Sequence, residues 1–132
     1  MKYLCLIYDE EKKLGTMPKS EGEAFMAEYF GFTEGIKKSG HYLGGNALQP
    51  VQTATTVRVR NGKMSTTDGP FVETKEFLGG FFLIEARDLN EAIRLAETSP
   101  MAAMGSIEVR PFLDQTHSVT GAGRPAFARE KV

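Results

Sequence analysis

The sequence has one cysteine, two histidines and no excess of either charge. Each scarcity excludes something. A lone Cys5, set in an apolar run, rules out an intrachain disulfide and reads as a buried core thiol in a reducing compartment. Two histidines are too few for a multi-histidine zinc site. No histidine–cysteine metal spacing, glycine-rich phosphate loop or nucleophile elbow occurs either. No metal and no cofactor is therefore expected. The 16 Lys and Arg against 17 Asp and Glu leave a net charge of −1. That balance speaks against direct binding to nucleic acid or to an acidic membrane surface. Arg58, Arg60 and Lys63 make a basic spot, but no aromatic residues interleave with it as in single-strand binders. Long apolar runs are missing as well. The first one turns charged by Asp9, which is too short for a signal peptide or a membrane span. The expectation is a soluble cytoplasmic protein.

What is present suits one domain. The chain has 132 residues, enough to bury roughly two-thirds of its unfolded surface. Lys2 to Tyr8 reads as a strand apolar on both faces, hence covered on both. Asp9 to Lys19 reads as a charged loop with Gly15 and Pro18. Ser20 with Glu23 has capping-box spacing and starts a helix, with Phe25, Tyr29, Phe32 and Ile36 as its inner stripe. Ser39-Gly40 ends it. His41 to Ala47 is a short extended piece. Thr53 to Arg60 alternates as a strand, Asn61-Gly62 is a two-residue hairpin turn, and Lys63 to Thr67 returns. Phe81 to Ala86 is a second strongly apolar strand. Asp88 with Glu91 caps a second helix, which Ser99-Pro100 ends. Ile107 to Phe112 is the last strand. Residues 1–112 thus form the domain. The tail, 113–132, has no periodicity and reads as mobile or as ordered only against another chain.

This order predicts an α+β fold, a ferredoxin-like βαββαβ sandwich with an inserted β-hairpin. The first and third strands of that topology are central, and here they are the most apolar. Two helices cover one face of such a sheet. The other face carries Phe and Leu side chains, a patch too large for a monomer to expose. A homodimer that packs two sheets face to face is expected, forming a dimeric α+β barrel.

One stretch concentrates chemistry: Asp68-Gly69-Pro70-Phe71-Val72-Glu73-Thr74-Lys75-Glu76. It resembles the signature of the YCII-related, DGPF-type proteins. So do Met1 to Tyr8, Gly44-Gly45 with Leu48 and Pro50, Thr53 to Arg58, Gly79-Gly80-Phe81, and Glu108-Val109-Arg110-Pro111. The resemblance implies a dimeric α+β barrel. It also implies two functional directions. Some relatives have been suggested to be small-molecule enzymes that use a histidine–aspartate pair, and DGPF-type members are associated with extracytoplasmic-function sigma factors. The family's catalytic histidine has no matching motif here.

Asp68 is the leading candidate on chemistry alone. A turn aspartate usually accepts from the backbone N–H two residues on, and that residue, Pro70, has none. The carboxylate must cap Phe71 or Val72, pair with a cation, or face a ligand. Glu73, Lys75 and Glu76 stand close to Asp68 in sequence, a cluster able to bind a metal or shift a pKa for acid–base work, or to form ordinary surface ion pairs. Thr74 is a donor for a ligand or for the loop backbone. His41, at a helix C-terminus, suits acid–base work near neutral pH or a capping role. His117 sits in the tail. Tyr8-Asp9 closes the first central strand, where clefts often open, and Asp9 also reads as the start of the loop.

Two functions follow. The first is a small-molecule enzyme doing cofactor-free proton transfer of the isomerase or lyase type. Its cleft is lined by aromatics such as Phe71, Phe81, Tyr29 and Tyr8. Asp68 and His41 or Lys75 carry the proton, and Glu73 and Thr74 hold the ligand. The second is a non-catalytic ligand-binding or regulatory module that contacts a partner such as a sigma factor.

Overall fold

The computed structural model describes residues 1–116, 119–120 and 122–124. In chain order the elements are β1 (Lys2–Asp9), α1 (Glu11–Gly15), α2 (Lys19–Lys38), β2 (Tyr42–Ala47), a 3-10 turn (Val51–Thr53), β3 (Thr55–Arg60) and β4 (Lys63–Asp68). Then come β5 (Phe77–Glu85), α3 (Leu89–Glu97), α4 (Pro100–Met104), β6 (Ser106–Pro111), β7 (Gln115–Thr116) and β8 (Gly123–Arg124). The fold is α+β with antiparallel sheets. The main sheet has the order β2-β5-β1-β6, and every pairing in it is antiparallel. Its two inner strands, β1 and β5, are the two most apolar segments. An inner strand has neighbours on both edges and lies over the middle of the core, so it recruits the most apolar sequence.

The side-chain period of two divides the sheet into unlike faces. Tyr3, Cys5, Ile7 and Asp9 of β1 are buried, while Leu4, Leu6 and Tyr8 between them are half-buried. On β5, Phe82 and Ile84 join the buried set. The helices lie on that face. Phe25, Tyr29, Phe32 and Ile36 of α2, Ala92 and Leu95 of α3 and Met101 of α4 pack with Tyr3, Cys5, Ile7, Phe82 and Ile84 in one core. Phe32 meets Phe82 edge to face with centroids 5.5 Å apart, a geometry aromatic quadrupoles favour. Leu4, Leu6, Phe81 and Leu83 point the other way, as their register shows.

Local expectations meet mixed outcomes. Asp88 caps α3, its Oδ1 accepting from Glu91 N at 2.9 Å. Asn61 (φ 53°) and Gly62 (φ 74°) make the tight turn between β3 and β4; both angles are positive, as a twist-compatible hairpin turn requires. The cap expected at Ser20 does not form. The helix starts at Lys19 behind Pro18, which sits outside the helix at φ −56° and ψ 148°, and no side chain caps it. Residues 9–19 are not all loop, since Asp9 completes β1 and Glu11–Gly15 is a helical turn. Ser99 does not merely end α3. Its hydroxyl accepts from Met101 N at 3.2 Å and opens α4. In the tail, Gln115 pairs with Arg124 and Thr116 with Gly123, while His117 and residues 125–132 lie outside the described residues. No described helix is long and apolar enough to cross a membrane.

Candidate functional site

The site is built at the end of the sheet where β1 finishes and β5 begins. Here β1 and β5 slip register: Ile7 pairs with Gly80 and Tyr8 with Leu78, so Gly79 is an extra residue on β5. Bulges of this kind bend a strand and re-aim side chains. Because successive strand residues face opposite ways, Tyr8 and Asp9 look into different cavities on the two sides of the sheet.

The larger cavity, about 550 Å³, lies away from the helices and is walled by Tyr8, by residues 48–54 and by the 70–78 loop. Its walls are mainly apolar: Leu48, Pro50, Val51, Ala54, Pro70, Phe71 and Leu78 contribute. Both wall segments are tied down. Leu48 N donates to Gly79 O at 2.8 Å, and Gly69 N to Ala54 O at 2.7 Å. Val51 N donates to Glu11 Oε1 at 2.6 Å. Thr56 Oγ1 donates to Gly69 O at 3.0 Å, and the Arg58 guanidinium lies 5.3 Å from the centre of the Phe71 ring. Gly69 holds φ at 101°, a backbone shape that a side chain would strain. Thr74 donates to Glu76 O within the loop. The polar groups in this cavity are Tyr8, Gln49, Thr53, Thr74 and Glu76.

The smaller cavity, about 160 Å³, lies on the helix side and is lined by Ile7, Asp9, Phe25, Met26, Tyr29, Ala47, Gly79, Gly80 and Met101. Asp9 is its one acidic group and is only 6% exposed. A Cβ at position 79 would stand 2.9 Å from Asp9 Oδ1, so glycine leaves the carboxylate its place. Burial holds the Asp9 carboxyl above the usual carboxylate range, and the negative Glu11 and Glu76 push the same way. Burial, with Tyr42 adding to it, also raises the Tyr29 phenol. Cys5 is pushed up to about 12 by burial, which fits an inert core thiol.

The residues singled out in the sequence are distributed unevenly. Tyr8, Phe71 and Thr74 line the larger cavity. Glu73, Thr74 and Lys75 line a polar depression against α1, with Glu10, Glu11 and Lys12 opposite. There Lys75 Nζ stands 3.3 Å from Glu10 Oε1. Asp68 is exposed at the end of β4, opposite Thr55. His41 is at the far end of the sheet. It precedes Tyr42, which pairs with Ile84, and Ile84 pairs with Tyr3, whereas the cavities adjoin Asp9. Six residues of β1 at ~3.3 Å each separate the two ends by about 20 Å. His41 Nε2 lies 3.2 Å from Glu91 Oε1 and Nδ1 2.6 Å from Ser39 Oγ. Glu91 also accepts from Arg87 N at 3.1 Å and Arg87 Nε at 2.8 Å. The Arg87 backbone hydrogen bond holds the Glu91 carboxyl below the usual range; burial opposes it, and the Arg87 side chain and then His41 add to the lowering. His41 therefore ties the end of α2 to the start of α3. The structure does not bring it together with Asp68.

Asp9, Met26, Met101 and the 48–54 wall carry more of the site than sequence reading assigned them. The parity of β1 is the signal for Asp9, because Tyr3, Cys5, Ile7 and Asp9 share one face. Nothing in the sequence marks the 48–54 wall as part of a site beyond Leu48 and the single Pro50.

Fold and site define a class: an α+β protein with an open antiparallel sheet and ligand-sized cavities at one sheet end. Within that class the chain belongs to the YCII-related family, whose domain matches residues 1–116. It is similar to a protein of Rhizobium meliloti (strain 1021) described only as uncharacterised. The two are 35% identical over 113 residues, which is 84% of this chain and 91% of that protein.

Proposed function

We propose that this chain binds a small molecule in the larger cavity beneath the 68–76 loop. The observation that carries the reading is the cavity itself. Its volume of about 550 Å³ falls within the range of small-molecule sites, and such sites pair apolar walls with a few converging polar groups. Phe71, Tyr8 and Thr74 are the ligand-facing residues in this reading. Glu73 and Lys75 line the polar depression against α1 and would hold a ligand's polar end only if it reached that far. Acid–base chemistry of the isomerase or lyase type would draw on the carboxylates at this sheet end. Glu76 lines the cavity and is the carboxylate placed to exchange a proton with a ligand there. Asp68 and His41 stand outside both cavities, so the proposal does not rest on them.

The sheet is read as ferredoxin-like and the assembly as a dimer closing an α+β barrel. Two observations support this: the antiparallel order β2-β5-β1-β6, and the half-buried Leu4, Leu6, Phe81 and Leu83 on the face away from the helices. A second reading, a regulatory module docking a partner such as a sigma factor, is favoured by one feature. The β3–β4 hairpin exposes Val57 at 61%, Val59 at 58% and Met64 at 66%, all on one face.

The test is a thermal-shift screen of small metabolites on the wild-type chain and on Ala54→Trp, which fills the larger cavity from its wall. Compounds that raise the wild-type melting temperature should lose their effect on the variant. Undiminished shifts would remove this cavity from the account.

A further inference from the structure

The smaller cavity stands apart, because its carboxylate has no partner among the described residues. No described residue donates a hydrogen bond to Asp9, although the residue is only 6% exposed. No side-chain oxygen among the described residues is both sealed from solvent and without a partner. The Asp9 oxygens must therefore look into the adjoining space of about 160 Å³. An ionised carboxylate held at the mouth of an apolar cavity without a donor is costly. The backbone is nonetheless arranged to keep it there, with Gly79 bulged out of register and leaving room at Oδ1.

The neighbouring charges do not relieve it. On α1, Glu11 repels it, Lys13 Nζ is directed to Met104 O at 3.4 Å, and Lys12 borders the polar depression instead. From the 68–76 loop, Glu76 repels it, and Lys75 is engaged by Glu10. The charged residues of α2 nearest this end, Lys19 and Glu23, are exposed and line a neighbouring surface hollow that shares Phe25 and Met26 with the cavity. The walls are of a particular kind. Phe25 and Tyr29 present aromatic rings, and Met26 and Met101 present thioethers. Ring faces attract cations, and thioethers are soft and polarisable. An unpaired carboxylate, two further carboxylates behind it, and aromatic and thioether walls all favour positive charge on a largely apolar body.

We propose that the Asp9 cavity binds a small organic cation, an alkylammonium group of about six non-hydrogen atoms, the size that a cavity of about 150 Å³ accepts. The ammonium donates to Asp9, and its carbon skeleton packs between Phe25, Tyr29 and the two methionines. This site lies on the opposite side of β1 from the larger cavity, so it goes beyond the ligand proposed there and stands or falls independently.

The experiment uses the full chain with methyl-labelled methionine, titrated near pH 7.5 at low salt and followed by NMR. Three probes of one shape are compared: isobutylammonium, isobutanol and isobutyrate. The expected result is that isobutylammonium shifts the Met26 and Met101 methyl signals with a Kd about tenfold lower than isobutanol, since an ionic hydrogen bond outweighs a neutral one. Isobutyrate should leave both signals in place. Asp9→Asn should bring the ammonium down to the level of the alcohol. Equal or tighter binding of isobutanol, binding of isobutyrate, or a preference that survives Asp9→Asn would each overturn the proposal. So would silence of both methyl signals towards every probe. The comparison of probes on the wild-type chain decides the matter without the variant, should Asp9→Asn fail to fold.

Discussion

Asp9 and His41 show how two ionisable side chains of similar promise in the sequence come to differ. His41 is satisfied on both ring nitrogens by Ser39 and Glu91. Asp9 is buried with no donor among the described residues. His41→Ala should lower the melting temperature by about 3 °C and leave ligand binding unchanged, as calorimetry and titration would show. Glu91, held below its ordinary value of 4.5, contributes stability above that value and loses it as the pH falls through its depressed folded pKa. His41→Ala should therefore lessen the acid sensitivity of unfolding. Asp9 has the opposite sign. Its folded pKa is raised, so its contribution is full below the ordinary 3.8 and is lost as the pH rises through the folded value. Asp9→Asn should accordingly be more stable than wild type near pH 7, by about 1 kcal/mol, and should lose that advantage near pH 3. Denaturant titrations at the two pH values check this. A variant less stable at pH 7 would mean that the carboxylate holds the strand end. Of these two residues, the position of His41 at a helix end was legible from Ser39-Gly40. The burial of Asp9 was legible only through the parity of β1, which the charged run after it masks.

At the scale of elements, the sequence marks strands and helices well where periodicity is long and poorly where a short element depends on packing. β1, α2, β5 and α3 carry clear apolar stripes. α1 and α4 are five residues each, too short for a periodic signal, and they form because neighbouring elements hold them. The start of β5 at Phe77 rather than Phe81 has the same origin, since Phe77 and Leu78 pair with Asp9 and Tyr8. The misplaced cap at Ser20 shows local rules in competition, with the fixed φ of Pro18 setting the helix entry first. The 68–76 loop depends on Gly69, which joins the hairpin to the cavity wall at φ 101°. Gly69→Ala should destabilise the chain by about 1–2 kcal/mol and weaken ligands of the larger cavity, whereas Gly15→Ala, which meets open space at ordinary φ, should do neither. Chemical denaturation of the two variants makes the comparison.

For the whole molecule, the sheet has one face closed by helices and one face of half-buried Leu and Phe. Both follow from the alternation of two apolar strands, and this much was legible from the sequence. The end of β1 at Tyr8-Asp9 was legible as a place where a cleft opens, but the full walls of the two cavities were not, because they arise where a bulge, a 3-10 turn and a loop distant in sequence converge. If two open faces pair, sedimentation should give twice the 14.5 kDa mass of the chain, and Leu4→Lys with Leu83→Lys should give the single mass. The central claim is that ligands enter at the end of the sheet where Tyr8 and Asp9 lie. The measurement that tests it most directly is an amide chemical-shift map of the wild-type chain against the small molecules that stabilise it. The account predicts perturbations at Tyr8, Asp9, residues 48–54 and residues 69–80. Perturbations clustered instead around His41 and Glu91, or over Val57, Val59 and Met64 alone, would contradict it.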